Sequence, residues 1–143
     1  MERSIPKVYD LNMPIRSMIT KRVIGVDKNS SVQKSAEKMV EFEVSSLVVV
    51  DDGDIVGFLT DGDIKKRVVA KGLSSDIPVK EVMSRNLITA DIGTTVRDVL
   101  DLMAEQNVKH VMVEEEGEIV GMLTFGDLIH IDKQKVETHI SRE

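Results

Sequence analysis

The sequence has no cysteine, which excludes disulfides, thiol nucleophiles and cysteine-based zinc sites. It has no tryptophan, one tyrosine and three phenylalanines, so a flat ligand ring would have to be gripped mainly by aliphatic side chains and backbone groups. The longest purely apolar run, Leu47 to Val50, falls far short of the roughly 20 residues that a membrane span requires. The opening MERSIPKVYD alternates polar and apolar residues and lacks the apolar stretch of about 7–15 residues found in a signal peptide. A cytoplasmic location with no membrane association is therefore expected. The three histidines, at 110, 130 and 139, fit none of the close spacings of a metal site. Positive charge is also in deficit. The net charge is −6, and the basic runs Lys21-Arg22 and Lys65-Lys66-Arg67 are short, an arrangement that disfavours a phosphate backbone and argues against nucleic acid as a partner.

What the sequence does have is a repeat. In a chain of 143 residues, long enough for one ordinary domain or two small ones sharing a core, the segment from Pro14 to Arg67 aligns without a gap on Pro78 to Ile131, at an offset of 64 residues. DDGDIVGFLTDGDI (51–64) returns as EEGEIVGMLTFGDL (115–128), and Ile24/Ile88, Asp27/Asp91, Val32/Val96, Met39/Met103 and Val44/Val108 pair along the way. Self-similarity at a fixed period is the signature of a duplicated structural unit. The expected organisation is an N-terminal segment 1–13, repeat one at 14–70, a linker 71–77, repeat two at 78–131 and a C-terminal helical tail 132–143.

Each copy reads as a short helix, then strand, helix, strand, strand, helix. Val23 to Val26 is a brief β-rich run. Ser30-Ser31-Val32-Gln33 has the form of an S-x-x-Q capping box opening a helix, and Val32, Ala36, Met39 and Val40 supply a helical apolar stripe. Leu47–Val50 and Ile55–Leu59 are strands joined by Asp-Asp-Gly-Asp, where Gly and Asp tolerate the positive φ of a tight hairpin. In the second copy Thr94 and Thr95 are the caps, Val96, Leu100, Met103 and Ala104 the stripe, and Glu115-Glu116-Gly117-Glu118 the turn. Asp51, Asp52 and Asp54 do not follow the D-x-D-x-D-G calcium-loop spacing, so a plain turn is expected.

The passage from the last strand to the last helix is G-h-L-T-x-G-D in both copies: Gly57-Phe58-Leu59-Thr60-Asp61-Gly62-Asp63 and Gly121-Met122-Leu123-Thr124-Phe125-Gly126-Asp127. Taken alone, T-x-x-D is a capping box. A carboxylate beside a helix start can equally accept both hydroxyls of a ribose, and both readings stand in different ligand states. The doubled motif, the Pro before each short helix and the strand V-x-x-L-V-V-V-D resemble the CBS domain family across residues 14 to 131.

The resemblance implies an α/β fold of two tandem βαββα repeats packed about a pseudo-twofold axis with a ligand cleft between them. It also implies a homodimer and a regulatory ligand of the adenosyl class, AMP, ADP or ATP, with no required cofactor. It assigns ribose binding to Asp63 and Asp127 and ribose or phosphate contact to Thr60 and Thr124. The implied sites are crossed. One combines Phe58, Thr60 and Asp63 with Leu87, Ile88, Lys109, His110 and Met112. The other combines Met122, Thr124 and Asp127 with Val23, Ile24, Ser45, Ser46 and Val48. Lys109 and His110 have the donors that a ligand phosphate needs, although a Lys-His pair is equally well a solvated strand edge. A pair with no attached effector domain would signal to an effector protein in trans. A ligand-free interaction disc is the alternative. A nucleotide hydrolase using Asp63 or Asp127 is disfavoured, because no P-loop, metal cluster or base-activated nucleophile is visible.

Overall fold

The computed structural model describes residues 10–19 and 23–128; the expected tail at 132–143, His130 and His139 lie outside the described residues. Two compact units divide the chain, Val23–Leu87 and Ile88 onward together with the residues before Val23. Repeat in sequence and unit in space are out of phase by one element. The short 3₁₀ helix Val79–Glu81 opens the second sequence repeat, yet Val79, Val82 and Met83 are buried with Val26, Val32, Met39, Leu47 and Leu59 in the first unit. Reciprocally, Ile15 of the 3₁₀ helix Ile15–Met18 is buried with Val96, Val99, Val111 and Leu123.

In the Val23–Leu87 unit, β1 (Gly25–Asp27) runs parallel to β2 (Ser46–Asp51), and α1 (Val32–Phe42) supplies the crossover that a parallel pair requires. β3 (Asp54–Thr60) pairs antiparallel with β2. The turn between them has Asp52 at φ 53° and Gly53 at φ 89°, the consecutive left-handed residues of a tight hairpin. β3 then turns into α2 (Asp61–Ile64), which continues as a π-helical turn, Lys65–Val69.

Two local expectations are corrected here. The helix cap is Ser31, whose hydroxyl accepts from Lys34 N at 3.1 Å, and no capping box forms on Ser30 and Gln33. The Gln33 amide side chain bonds Glu37 instead, at 3.3 Å. The cause is the chain that returns past the helix start: Val32 N and Gln33 N donate to Ile77 O and Ser75 O at 3.0 and 2.9 Å, so backbone already serves the orphan N–H groups. The second correction is the stripe. The buried face is Val32, Ser35 and Met39, whereas Val40 is 78% exposed. A polar residue in the middle of the face hid its phase. Ser35 is fully buried because its hydroxyl donates to Ser31 O at 3.1 Å and so leaves no unmet group.

The other unit repeats the plan with β4 (Thr89–Asp91), α3 (Val96–Gln106), β5 (His110–Glu115), β6 (Glu118–Thr124) and α4 (Phe125–Leu128). Its sheet order and register match the first residue for residue. Thr95 caps α3 through Asp98 N at 3.1 Å. Val96, Val99 and Met103 form the buried face; Leu100 is half-buried and Ala104 is exposed, which corrects the expected stripe in the same sense as in α1. Val96 N and Arg97 N donate to Met13 O and Leu11 O, the counterparts of Ile77 and Ser75 at the same offset of 64. The segments expected to be terminus and linker thus supply equivalent capping carbonyls in the two copies.

Candidate functional site

The strand-to-helix corner of each unit is shaped by its first glycine. A Cβ on Gly57 would lie 2.6 Å from Met83 Sδ and 2.7 Å from Ser84 O, and one on Gly121 would lie 2.9 Å from Ile19 Cγ2. At Gly57 the crowding atom is backbone, so glycine is required there, whereas at Gly121 it belongs to the Ile19 side chain. Phe58 and Ser84 exchange backbone hydrogen bonds, Phe58 N to Ser84 O at 2.9 Å and Ser84 N to Phe58 O at 2.8 Å.

Two residues on, Thr60 and Asp63 close a reciprocal capping box. The Thr60 hydroxyl accepts from Asp63 N at 3.0 Å, and Asp63 Oδ2 accepts from Thr60 N at 3.0 Å. Thr124 and Asp127 repeat the box at 3.0 and 2.9 Å. The corners differ in exposure: Thr60 is buried and Asp63 half-buried, while Thr124 is half-buried and Asp127 exposed.

The start of the second strand lies beside the corner of its own unit. Ser46 is opposite Thr60, and His110 is opposite Thr124. Asp61 N donates to Ser45 O at 3.0 Å, and Phe125 N donates to Lys109 O at 2.9 Å. Val48 pairs with Phe58, and Met112 with Met122. The entrances of the first strands follow: Val48 N donates to Ile24 O at 3.0 Å and Met112 N to Ile88 O at 2.8 Å. Phe58, Val48 and Met112 are buried, Val23, Ile24, Leu87, Ile88, Ser46, His110 and Met122 are half-buried, and Ser45 and Lys109 are exposed. Thus the Val23–Leu87 unit brings together Val23, Ile24, Ser45, Ser46, Phe58, Thr60, Asp63 and Leu87. The other unit brings together Ile88, Lys109, His110, Met122, Thr124 and Asp127.

One residue at the first corner escaped sequence reasoning. Arg67 Nε stands 3.9 Å from Asp63 Oδ1, and Arg67 Nη1 donates to Val82 O at 2.9 Å and Met83 O at 3.2 Å. The available signal was a base four residues after an acid on one helix; it was read only as part of a basic run. Among the described residues, no three His, Cys, Asp or Glu side chains gather as a metal site, and no helix is long and apolar enough to cross a membrane.

Comparison with known proteins agrees with the duplicated fold. The CBS domain family matches residues 15–70 and 79–133. The CBS domain-containing protein YhcV of Bacillus subtilis is 32% identical over 114 residues, covering 80% of this chain and 81% of its own. A crystal structure of an uncharacterized conserved protein from Pyrococcus horikoshii is 48% identical, with a TM-score of 0.76, covering 87% of this chain and 95% of that one. The CBS domain pair of protein MJ0100, in complex with 5′-methylthioadenosine and S-adenosyl-L-methionine, is 26% identical with a TM-score of 0.71, covering 87% and 98%. With both repeats matched and both motif corners built alike, the chain belongs to the CBS domain family.

Proposed function

We propose that this chain is a regulatory module that binds a ligand of the adenosyl class and passes its occupancy to an effector protein in trans. The observation that carries the reading is the duplicated corner, in which Thr60 with Asp63 and Thr124 with Asp127 hold the same geometry to within 0.1 Å. Each carboxylate closes a local cap, which contributes about 1 kcal/mol. A ribose offering two hydroxyls to a carboxylate gains more, about 1.5–3 kcal/mol, so the cap is a resting state that a nucleoside displaces. The CBS pair of MJ0100 with its two adenosyl ligands supports this class.

In the same reading Lys109 and His110 are phosphate donors, and the aliphatic Val23, Ile24, Leu87 and Ile88 flank the base. Val69 at 69% and Leu73 at 48% exposure leave apolar surface at the end of the closing helix, which supports the proposed homodimer. An adenosyl ligand also fits a cytoplasmic site of action. The test is titration calorimetry with AMP, ATP and GTP on the full chain. Adenine nucleotides are expected to bind more tightly than GTP; equal affinity for ATP and GTP would sink the adenine assignment. No binding of any of the three would favour the ligand-free interaction disc, in which the caps are purely structural.

A further inference from the structure

We propose that Arg67 is a positioning residue that couples the state of the Asp63 carboxylate to the segment Val82–Leu87. The inference rests on the reading of Asp63 as the ribose-binding group.

Arg67 lies in the π-helical turn Lys65–Val69, where Ala70 N donates to Lys65 O at 2.9 Å in place of the usual α pattern. Such turns, inserted into α-helices, are frequent at functional sites. Here the guanidinium spans two structures. Its Nη1 holds the carbonyls of Val82 and Met83, which end the 3₁₀ helix Val79–Glu81, and its Nε faces Asp63 Oδ1 at 3.9 Å. The other Asp63 oxygen is engaged with Thr60 N.

The Phe58–Ser84 hydrogen bonds and the close approach allowed by Gly57 clasp the same segment to β3. The segment is therefore held both by β3 and by Arg67. Three residues later, at Leu87, the chain leaves this unit. When Asp63 releases Thr60 N to accept ribose hydroxyls, Oδ1 turns with it and the field at the guanidinium changes. The two carbonyls it holds are the route by which that change reaches Leu87. The position equivalent to Arg67 in the second repeat is Ile131, which carries no charge.

The experiment is amide hydrogen exchange over Met83–Leu87 in the full chain, with and without 5′-methylthioadenosine, for wild type, Arg67→Gln, Arg67→Lys and Asp63→Asn. In wild type the ligand is expected to alter exchange at both Thr60–Asp63 and Met83–Leu87. In Arg67→Gln the ligand still alters Thr60–Asp63, but the difference vanishes over Met83–Asn86 and remains only at Leu87, which flanks the base. Arg67→Lys keeps the charge and loses the fork, so it restores part of the difference. A merely structural Arg67 would raise exchange at Met83–Leu87 equally in both states and leave the ligand-induced difference intact, which would overturn the proposal.

A ligand-free arm separates this from the adenosyl reading. Asp63→Asn alone is expected to change exchange at Met83–Leu87 by about twofold, the worth of an i,i+4 ion pair, in the Arg67 background and not in Arg67→Gln. No change in the Arg67 background overturns the coupling, whichever ligand the site takes. If this arm succeeds and 5′-methylthioadenosine leaves Thr60–Asp63 unaltered, the ligand class is what has failed.

Discussion

Replacing Gly57 by alanine tests whether the motif glycine is there for close backbone approach. The new Cβ would stand 2.6 Å from Met83 Sδ and 2.7 Å from Ser84 O, against the roughly 3.3 Å that a carbon keeps from a carbonyl oxygen. The thioether can swing aside. The Ser84 carbonyl cannot, because Phe58 N holds it at 2.9 Å while Ser84 N is tied to Phe58 O at 2.8 Å. Overpacking costs about 1–3 kcal/mol, and weakening the backbone pair adds about 0.5–1.5 kcal/mol per bond. Alanine returns about 0.5–1 kcal/mol of the backbone entropy that glycine loses in a strand. The net loss is about 2–4 kcal/mol, equivalent to a fall in Tm on the order of 10 °C. The control is Gly121→Ala, where the nearest atoms, at 2.9 and 3.2 Å, belong to the Ile19 side chain; a side chain can rotate, so the cost there is about 1 kcal/mol. Urea unfolding followed by far-UV circular dichroism measures both variants, the chain having no tryptophan. Equal losses, within about 0.5 kcal/mol, would refute the distinction between a locked carbonyl and a movable side chain.

The helix stripe offers a second check by the same assay: Met39→Ala removes a buried side chain and costs about 2–5 kcal/mol, while Val40→Lys, at a position 78% exposed, changes stability by less than about 0.5 kcal/mol. Lys109, whose carbonyl is fixed by Phe125 N and whose side chain is exposed, is expected to matter more to phosphate than to base. Lys109→Ala weakens ATP by several-fold in calorimetry and leaves adenosine unchanged, and added salt shrinks the difference. A loss confined to the Asp63 site supports the crossed pairing, whereas a loss at the Asp127 site places Lys109 with the corner of its own repeat.

The duplicated plan was legible because strands and turns are written in short-range patterns. The turn residues Asp52, Gly53 and Gly117 take the positive φ values their residue types suggest, Glu116 takes one that its type does not, and T-x-x-D forms a closed box in both copies. The helix phase was misread in both copies. In the first copy buried Ser35 is polar and donates to the N-cap carbonyl of Ser31, so no apolar pattern could reveal it; in the second the matching residue is apolar Val99, and the stripe was drawn past it. The capping by Ser75, Ile77, Leu11 and Met13 was invisible for another reason. Backbone carbonyls donated from afar leave no trace in residue type, and the segments carrying them looked like linker and terminus. Arg67 was passed over because its two firm contacts are also to carbonyls.

The central claim is that each Asp of the two corners binds a ribose, and its most direct test is titration calorimetry of AMP and 5′-methylthioadenosine against wild type, Asp63→Ala, Asp127→Ala and the double variant, each confirmed folded by circular dichroism. Each single change is expected to weaken one site by roughly 10- to 150-fold, to leave the other site as it was, and to lower stability by only the cap's contribution of about 1 kcal/mol; the double variant should lose measurable binding. A double variant that stays folded and binds both ligands as wild type does would contradict the claim and leave the two boxes as helix caps alone.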